Sequence, residues 1–396
     1  RVKTLLPPAG TQSTSYGYDA VGRLTAASSG ISAWSATYNK RGQPTGETLA
    51  LTGQPAKALA YAHDTYGSLS QLTYPNGEAV AYAPDALGRP TRVGNYLSGI
   101  GYFPNGEIAQ ASLGNGALYV AEQNARQLLR NFSYGKGSTL NLSEDLSYDK
   151  NGNITQITDL AGGPRGKTLG YDALDRLTSA TAPSLWGTET YAYDPLHNLR
   201  SRINGSQATT YNYDSRNRLA SLTGAGATSF IYDPRGNVVG KGSVTLGFDA
   251  KNQLLSLPGI SYAYDAAGRR VMKAVGSTIT YSFYNQAGQL LHQWEPATGK
   301  ATNLILLGRK PIARSVRVGT GTATVTYSYA DAQGTPLAEA NASGTVTATF
   351  DYRPYGSQAL GTAPNGIGYT GHVNDPESGF VYMQQRYYDP GVGRFL

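Results

Sequence analysis

The sequence contains no cysteine, so disulfide-stapled scaffolds, thiolate metal sites and cysteine nucleophiles are excluded together. No apolar run approaches the roughly 18 residues that a membrane-spanning helix requires. One of the strongest runs, Leu304 to Leu307, is four residues long. Because no run is long enough, we expect no membrane span. Charged residues are also few, at 15% of the chain against about 25% in ordinary proteins.

Leu, Ile, Val and Phe are also scarce, at about a fifth of the 396 residues, which raises the question of disorder. Disorder further requires few aromatic residues and a high net charge. The chain instead has 30 Tyr, 49 Gly and a net charge of only +7. We expect a folded protein in which Tyr and Gly replace much of the usual aliphatic content. Because the basic residues are scattered among turns and form no stripe, we do not expect nucleic-acid binding.

A short motif recurs along the chain, first as Tyr18-Asp19-Ala20-Val21-Gly22-Arg23-Leu24. Between residues 148 and 264 its aromatic positions are separated by 23, 22, 20, 19, 16 and 16 residues. The copies share an aromatic residue, then Asp, then turn residues. The positions that define it are Tyr18, Asp19, Gly22, Tyr148, Asp149, Gly152, Tyr171, Asp172, Tyr193, Asp194, Tyr213, Asp214, Tyr232, Asp233, Tyr264, Asp265 and Gly268.

Each part of the motif has a mechanical reading. Tyr favours the end of a strand, Asp hydrogen-bonds the backbone ahead of it to open a turn, and Gly or Asn accepts positive φ. Removing about five turn residues from each repeat leaves two strands of six to eight residues. The repeat is therefore predicted to be a β-hairpin. The best helix candidate, Ala117 to Arg130, is also interpreted as strand, because residues 124–128 resemble a worn copy of the turn.

This pattern predicts an all-β protein of on the order of thirty strands. Open sheets rarely exceed about ten strands without coiling, closing or splitting. Tyr at one fixed slot per repeat predicts a stacked ladder between neighbouring strands. The alternative is that surface Tyr, with Trp34, Trp186 and Trp294, binds sugars or partner proteins.

Several catalytic or ligand-binding patterns are weaker than their structural explanations. The glycine-rich run 161–168 resembles a P-loop, but strand and turn residues follow it where a helix would be required, so we interpret it as a hairpin loop. His63, His197, His292 and His372 lack zinc spacing, and each turn offers only one Asp for calcium. Asp375 and Asp389 could form an acid dyad, but each precedes Pro in a predicted turn. We expect no enzyme activity, metal site or cofactor.

From about residue 301 the hairpin repeat gives way to a different pattern. The chain is therefore divided into a repeat region, 1–300, and a terminal unit, 301–396, of the kind that caps the last edge of a repeat array. The terminal unit carries a dense motif whose positions are Gly371, His372, Asp375, Gly379, Tyr387, Tyr388, Asp389, Pro390, Gly393, Arg394 and Phe395.

The Tyr-Asp repeats followed by this block resemble the Rhs/YD-repeat family. That family includes bacterial polymorphic toxins, the C component of insecticidal ABC toxin complexes and animal teneurins. The run from Gly371 to Leu396 is similar to the Rhs-associated core of the bacterial members. The resemblance implies antiparallel β-hairpins in one spiralling sheet that forms a hollow shell, with a C-terminal core plug.

The resemblance also implies a function: a structural shell of a secreted polymorphic toxin that encapsulates and delivers a C-terminal toxin domain. The implied partners are that toxin domain and secretion-machinery or chaperone proteins, at a secreted or cell-surface location. Self-cleavage in the family relies on aspartates in a Ser-x-Asp-Pro-type segment, and the chain stops before it. Arg386 matches the core arginine that supports the protease site. The chain begins Arg1-Val2-Lys3 without a signal-peptide pattern, so we expect a piece of a longer protein. The alternative is a surface-exposed adhesion module.

Overall fold

The computed structural model describes residues 2–5 and 12–396 and is built almost entirely of antiparallel strands. The described part contains 41 strands and a single 3₁₀ turn, Tyr369–Gly371. The number exceeds the thirty expected, because many of the additional strands are only two to four residues long. The segment at 117–130 is strand and turn, as predicted.

Two sheets form the first part of the chain, which we call the first winding. In both, spatial order follows sequence order, so each is a run of hairpins. The first sheet contains β1 (Thr4–Leu5), β2 (Thr14–Tyr18), β3 (Leu24–Ser29), β4 (Ser32–Tyr38), β5 (Pro44–Leu51), β6 (Lys57–His63), β7 (Leu69–Thr73) and β8 (Ala79–Ala81). The second contains β9 (Leu97–Tyr102), β10 (Ile108–Leu113), β11 (Leu118–Gln123), β12 (Leu129–Lys136), β13 (Thr139–Tyr148), β14 (Ile154–Asp159), β15 (Lys167–Tyr171), β16 (Leu177–Ala182), β17 (Gly187–Tyr193), β18 (Leu199–Asn204), β19 (Gln207–Tyr213), β20 (Leu219–Gly224), β21 (Thr228–Tyr232), β22 (Val238–Lys241) and β23 (Val244–Thr245).

The third sheet is the second winding, and it is continuous across residue 300. It contains β24 (Gly247–Phe248), β25 (Leu254–Leu257), β26 (Ile260–Tyr264), β27 (Arg270–Val275), β28 (Thr278–Tyr284), β29 (Leu290–Glu295), β30 (Lys300–Leu307), β31 (Lys310–Val318), β32 (Thr324–Ala330), β33 (Pro336–Ala340) and β34 (Val346–Thr349). Residues 351–396 form the terminal block, with β35 (Asp351–Tyr352), β36 (Gln358–Leu360), β37 (Gly366–Ile367), β38 (Val373–Asp375), β39 (Phe380–Met383), β40 (Arg386–Asp389) and β41 (Arg394–Phe395).

The two windings lie side by side and run in the same direction. The Tyr16 hydroxyl donates to the carbonyl of Ala266 at 3.2 Å, and the Tyr74 hydroxyl to that of Leu304 at 2.9 Å. Tyr134 reaches residue 330 in the same way, at 3.2 Å. Between the first and the last of these contacts, the first winding advances by ten strand spacings, from β2 to β12, which is about 48 Å. The second winding advances over the same interval by about six spacings, which is about 29 Å. The strip therefore spirals, and its second winding is the tighter one.

The hydrophobic core lies largely where windings face each other. Its largest cluster unites Val80 and Leu142 of the first winding with Ile305 and Tyr329 of the second. Strands alternate between buried and exposed side chains, as in β4, so one face of the strip stays open. The accessible surface is 18330 Å², whereas a compact protein of 42.0 kDa would expose about 15,000 Å². The excess fits a curved wall better than a solid globule.

The turn slot that the motif assigns to glycine does require positive φ. Gly22 has φ 89° and Gly268 has φ 78°, while Asn217 and Asn252 occupy the same slot at about 60°. The register of the ladder shifts by one residue at the end of each motif strand, as at Gly17/Tyr18. Each turn is thus a type I turn closed by a left-handed residue that forms a bulge.

We expect Gly22→Val to lower the free energy of unfolding by about 1–3 kcal/mol, because a β-branched residue is strained at positive φ. Gly22→Asn is the matched control, and its loss should be smaller, since Asn fills this slot elsewhere in the chain. Chemical denaturation of both variants measures the difference. Equal stabilities for the two would contradict the assigned turn geometry. Gly268→Val should behave as Gly22→Val does.

Candidate functional site

The repeating turn is held by the carboxylate of its aspartate. In the first copy, Asp19 Oδ1 accepts hydrogen bonds from the backbone N–H of Val21 at 3.1 Å and of Arg23 at 2.9 Å. The other oxygen accepts from Arg23 Nε at 2.6 Å. Asp265 repeats this pattern with Ala267 and Arg269. The aspartate therefore replaces the backbone partners that the turn lacks.

The tyrosine slot joins successive hairpins in a way that the sequence did not predict. Tyr171 donates its hydroxyl to the carbonyl of Ile154 at 3.0 Å, and Tyr213 donates to that of Leu199 at 2.9 Å. The motif arginine covers the next ring, with the Arg218 guanidinium 4.6 Å from the Tyr232 centroid. In the described residues, no ring pair joins two successive motif tyrosines. The predicted stacked ladder is therefore wrong, because the tyrosines bond backbone carbonyls and, in the copies that carry arginine, a guanidinium covers the next ring.

The remaining motif aspartates occupy the same turn position as Asp19, and most of the motif tyrosines bond the preceding hairpin as Tyr171 does. The aspartates that accept from the N–H groups two and four residues ahead include Asp149, Asp172, Asp194, Asp214 and Asp233. The tyrosines that donate to an earlier carbonyl include Tyr148, Tyr193, Tyr232 and Tyr264. Tyr18 ends β2, and Gly152 has φ 96°.

The terminal block is anchored through a buried ionic cluster. Asp375, at the end of β38, pairs with the Arg270 guanidinium, with Nη2 3.0 Å from Oδ1. Lys273 Nζ lies 3.1 Å from the same oxygen and 3.1 Å from Glu377 Oε2. The side chains of Arg270 and Asp375 are 4% and 1% exposed. Asp375 thus neutralises a buried charge of the second winding; its backbone carbonyl, not its carboxylate, accepts from Ser378 and Gly379 in the following turn.

Aromatic rings of both parts enclose the Arg270 guanidinium. It lies 4.3 Å from the Tyr382 centroid, 5.0 Å from that of Tyr262 and 5.7 Å from that of Tyr387. Burial works against its charge, but Tyr387 and Asp375 hold the pKa of Arg270 well above its ordinary value. Burial likewise opposes the charge of Asp375, yet Arg270 and Lys273 keep the pKa of that carboxyl low. Arg270 and Asp375 are therefore both ionised in the folded protein.

A second anchor joins the terminal block to the first winding. Asp389 pairs with Lys241 and also accepts from the N–H of Gly391 at 3.0 Å, so it does cap its turn. Arg394 Nη2 donates to Asn198 Oδ1 at 3.2 Å. The block thus contacts both windings.

The other predicted motif residues lie around these anchors. Arg386 stacks on Phe395, 3.8 Å from its centroid, and borders a cavity of about 250 Å³ with Asp389 and Leu396. Burial, with Arg309 nearby, lowers the pKa of His372. Several further residues shape or pack the block: Gly371 and Gly379 at positive φ, Gly393 against the Tyr355 ring, Tyr388 bonded to the Tyr355 carbonyl, and Pro390 in the turn after Asp389.

Sequence reasoning missed Arg270, Lys273 and Lys241, although one signal was present. Most motif copies read Arg or Asn and then an aliphatic residue, whereas the copy at 264–270 ends Arg269-Arg270. A charge in an apolar slot indicates a buried partner. The partner lies 105 residues away, so the sequence could not name it.

None of the weaker patterns forms a reactive centre in the described part of the chain. Residues 160–166 connect β14 to β15 as a hairpin loop, and no three His, Asp or Glu side chains there are grouped to hold a metal. Asp375 and Asp389 belong to separate ion pairs. Within the same described residues no helix is long and apolar enough to cross a membrane.

A second buried charge cluster lies where β13 faces the terminal block. Arg165 Nε approaches Glu144 Oε1 at 3.8 Å, and Lys167 Nζ pairs with Asp351 Oδ1 at 2.6 Å. Burial raises the pKa of Glu144 to about 7, against the opposing effect of Lys167 and Arg165. The cluster therefore changes charge near neutral pH.

An array of β-hairpins that spirals in stacked windings and carries a folded terminal block is the architecture of a shell-forming repeat protein, with a structural role. The family model of the teneurin YD-shell matches residues 108–396. The chain belongs to this Rhs/YD-repeat shell family.

The relatives include both bacterial and animal proteins. The chain is 26% identical over 220 residues to the tRNA3(Ser)-specific nuclease WapA of Bacillus spizizenii, covering 52% of this chain and 9% of that protein. It is 26% identical over 272 residues to Teneurin-4 of Mus musculus, covering 63% and 9%. The Photorhabdus luminescens Tc holotoxin pore matches with TM-score 0.80 at 17% identity, over 98% of this chain and 24% of that one. The TcdB2-TccC3-Cdc42 structure matches with TM-score 0.76 at 17% identity, over 97% and 25%. The chain thus spans about a tenth of these curated relatives.

We expect Arg270→Met to lower the free energy of unfolding by about 3–5 kcal/mol, because it leaves Asp375 buried beside Lys273 alone. Arg218→Met is the control, since Arg218 is 32% exposed and its pair with Asp214 should be worth about 1 kcal/mol or less. Denaturant titration of both variants measures the losses. Similar losses would show that the buried cluster is no stronger than an ordinary turn pair.

Glu144→Gln should change how stability depends on pH. The folded pKa of Glu144, about 7, lies above its ordinary value of 4.5. The stability that the folded protein gains from protonation of Glu144 is therefore fully present below pH 4.5 and is lost as pH rises through 7. As pH rises from about 5 to about 8, the unfolding free energy of the Glu144→Gln variant should therefore increase by about 1–3 kcal/mol relative to that of the unaltered protein. Parallel pH profiles for the two proteins would contradict this.

Proposed function

We propose that this chain forms part of the wall of a secreted toxin shell, which encloses a toxin segment and delivers it. The observation that carries the proposal is the pair of stacked windings, in a fold that matches Tc toxin shells over nearly the whole chain. A toxin held behind such a wall could not meet its substrate. Continuous strand pairing also leaves few open edges for proteases.

The open face of the second winding supports enclosure. It borders a cavity of about 810 Å³, and many of its side chains are hydroxyl-bearing, including Thr280, Ser282, Thr326 and Ser328. Its charges are paired, as in the bidentate contact of Arg314 with Glu339 at 2.6 and 2.8 Å. A polar surface with few unpaired charges would hold a partly unfolded chain without gripping it.

The terminal block is proposed as the core plug, because its two ionic anchors tie it to both windings. Arg386 is proposed to support self-cleavage in the parent protein, since it stands beside Asp389 and Leu396 at the last strand. Export and secretion-machinery or chaperone partners follow from the same proposal. The division of the chain at residue 300 stays a prediction from the sequence pattern.

One observation favours the alternative, a surface adhesion module. Large apolar residues stand exposed at the tips of motif turns: Tyr66 is 92% exposed, Leu87 75%, Val21 71%, Leu196 68% and Leu174 61%. A row of exposed apolar residues on successive turns, if contiguous, would mark a protein-binding surface. Teneurin relatives give the alternative its precedent.

Single cysteines test enclosure cleanly, because the chain has none of its own. Thr326→Cys places a thiol on the cavity side and Leu196→Cys places one on an exposed turn. A small maleimide should label both variants. A maleimide carrying a long poly(ethylene glycol) chain should label only the Leu196 variant. Equal labelling by the large reagent would contradict an enclosed face.

The gene that encodes this chain separates delivery from adhesion. A variable toxin sequence encoded after codon 396 is expected if the shell delivers cargo. A membrane anchor or adhesive domains encoded there would overturn delivery in favour of adhesion.

A further inference from the structure

A buried chain of polar groups crosses from the second winding to the first. His292 in β29 has Nδ1 2.7 Å from Asn303 Oδ1 in β30. Asn303 Nδ2 then donates to Asn76 Oδ1 at 2.8 Å and to Glu78 Oε2 at 2.7 Å, both in the first winding. The Tyr96 hydroxyl donates to the other Glu78 oxygen. His292 is 1% exposed and Asn303 is fully buried, so this network lies inside the seam between the windings.

The network determines which imidazole nitrogen of His292 faces Asn303 as a donor. The Asn303 amide nitrogen is committed to two oxygen acceptors, so its oxygen must be the atom that faces the imidazole. His292 Nδ1 therefore carries a proton and donates it. Burial holds the pKa of the ring at about 4, so at neutral pH the ring is neutral. Its Nε2 is then an acceptor, and no hydrogen-bond partner for it exists among the described residues.

The surroundings oppose a positive charge on this ring. Phe283 of β28 lies 5.5 Å from the imidazole centroid, and Lys57 of the first winding sits 4.4 Å above the Trp294 ring. Burial, with a smaller contribution from Lys57, lowers the pKa of His292 to about 4, against the opposing effect of its hydrogen bond to Asn303. Other titratable groups at the seam include Glu78 and Tyr96, Tyr74, whose hydroxyl donates to the Leu304 carbonyl, and Glu47, which accepts from the Gln286 N–H at 3.0 Å.

We propose that His292, Asn303 and Glu78 form an acid-sensitive latch that holds the two windings together at neutral pH and releases this seam on acidification. Protonation at Nε2 would place a charge in a site that offers it no acceptor, so the ring can accept the proton only when the seam opens. The use of such a latch to loosen a shell rests on the proposed function; its chemistry does not.

The direction of the effect follows from linkage. An open seam exposes an imidazole of ordinary pKa 6.5, whereas the closed seam holds it at about 4. Closure is therefore fully favoured above pH 6.5 and is lost progressively as pH falls towards 4. At about pH 5 the open-to-closed ratio should rise about 20-fold over its value at pH 7. Glu144 responds in the opposite direction, so global stability is the wrong readout.

Amide hydrogen exchange of the intact chain, corrected for the intrinsic pH dependence, tests the latch locally. Peptides from β29, β30 and residues 74–82 should lose protection as pH falls from 7 to about 5, approaching the 20-fold change. His292→Asn keeps a side-chain donor near Nδ1 but does not titrate, so its seam should show no such change. His63→Asn, at the end of β6, is the control and should respond as the unaltered chain does.

Two results would overturn the latch: constant seam protection in the unaltered chain, or the same acid response in His292→Asn. If that variant does not fold, an NMR titration of the unaltered chain decides. It should show a neutral imidazole protonated on Nδ1 down to about pH 5, and an imidazole that titrates near its ordinary pKa would refute the proposal. Because neither readout involves cargo, failure of enclosure in the cysteine experiment would leave this result standing.

Discussion

The side-chain oxygen of the motif aspartate, or of the asparagine that replaces it in some copies, holds the repeating turns, because each motif turn leaves backbone N–H groups without partners. Asp19 Oδ1 accepts two of them, and Oδ2 holds the arginine that begins the next strand. That arginine then covers the following tyrosine ring, as Arg23 covers Tyr38 at 4.9 Å. A local turn device is thus coupled to its neighbour, so repetition alone extends the wall.

Association of the windings depends on a different kind of contact. The apolar clusters between them supply the general driving force, but many apolar side chains pack almost equally well in shifted registers. Buried polar groups do not, since an unpaired one is costly. The contact of Asn303 with Glu78 joins the two windings, and the pairs Arg270–Asp375 and Lys241–Asp389 join the terminal block to them. We infer that these contacts set the register in which the windings and the terminal block meet.

This division of roles is consistent with a structural protein. Many ionisable side chains of the described residues are satisfied by one another or by the backbone: motif aspartates cap turns, and Asp375, Asp389 and Asp351 pair with Arg270, Lys241 and Lys167. The chain matches the teneurin YD-shell model, and its fold is also that of a Tc holotoxin structure. A toxin component and the teneurins thus share one type of β-hairpin wall. What such a wall encloses or binds is a property of the particular protein, since one fold can serve several functions.

The sequence by itself determined the hairpin repeat, the positive-φ slot at Gly22 and the strand character of residues 117–130, because turn chemistry and alternation act over a few neighbouring residues. It also singled out the dense motif at 371–396, through which the chain resembles a family; the division at residue 300 stays a prediction. It misjudged the tyrosine slot, since Tyr171 bonds a carbonyl in the preceding hairpin instead of stacking on the next ring. Only the tertiary structure decided the partners of Arg270, Lys241 and Asn303, because a buried charged or polar group is satisfied by whatever residue the spiral brings to it. That residue lies 105 positions away for Arg270 and 148 for Lys241, far beyond the range at which sequence spacing carries information.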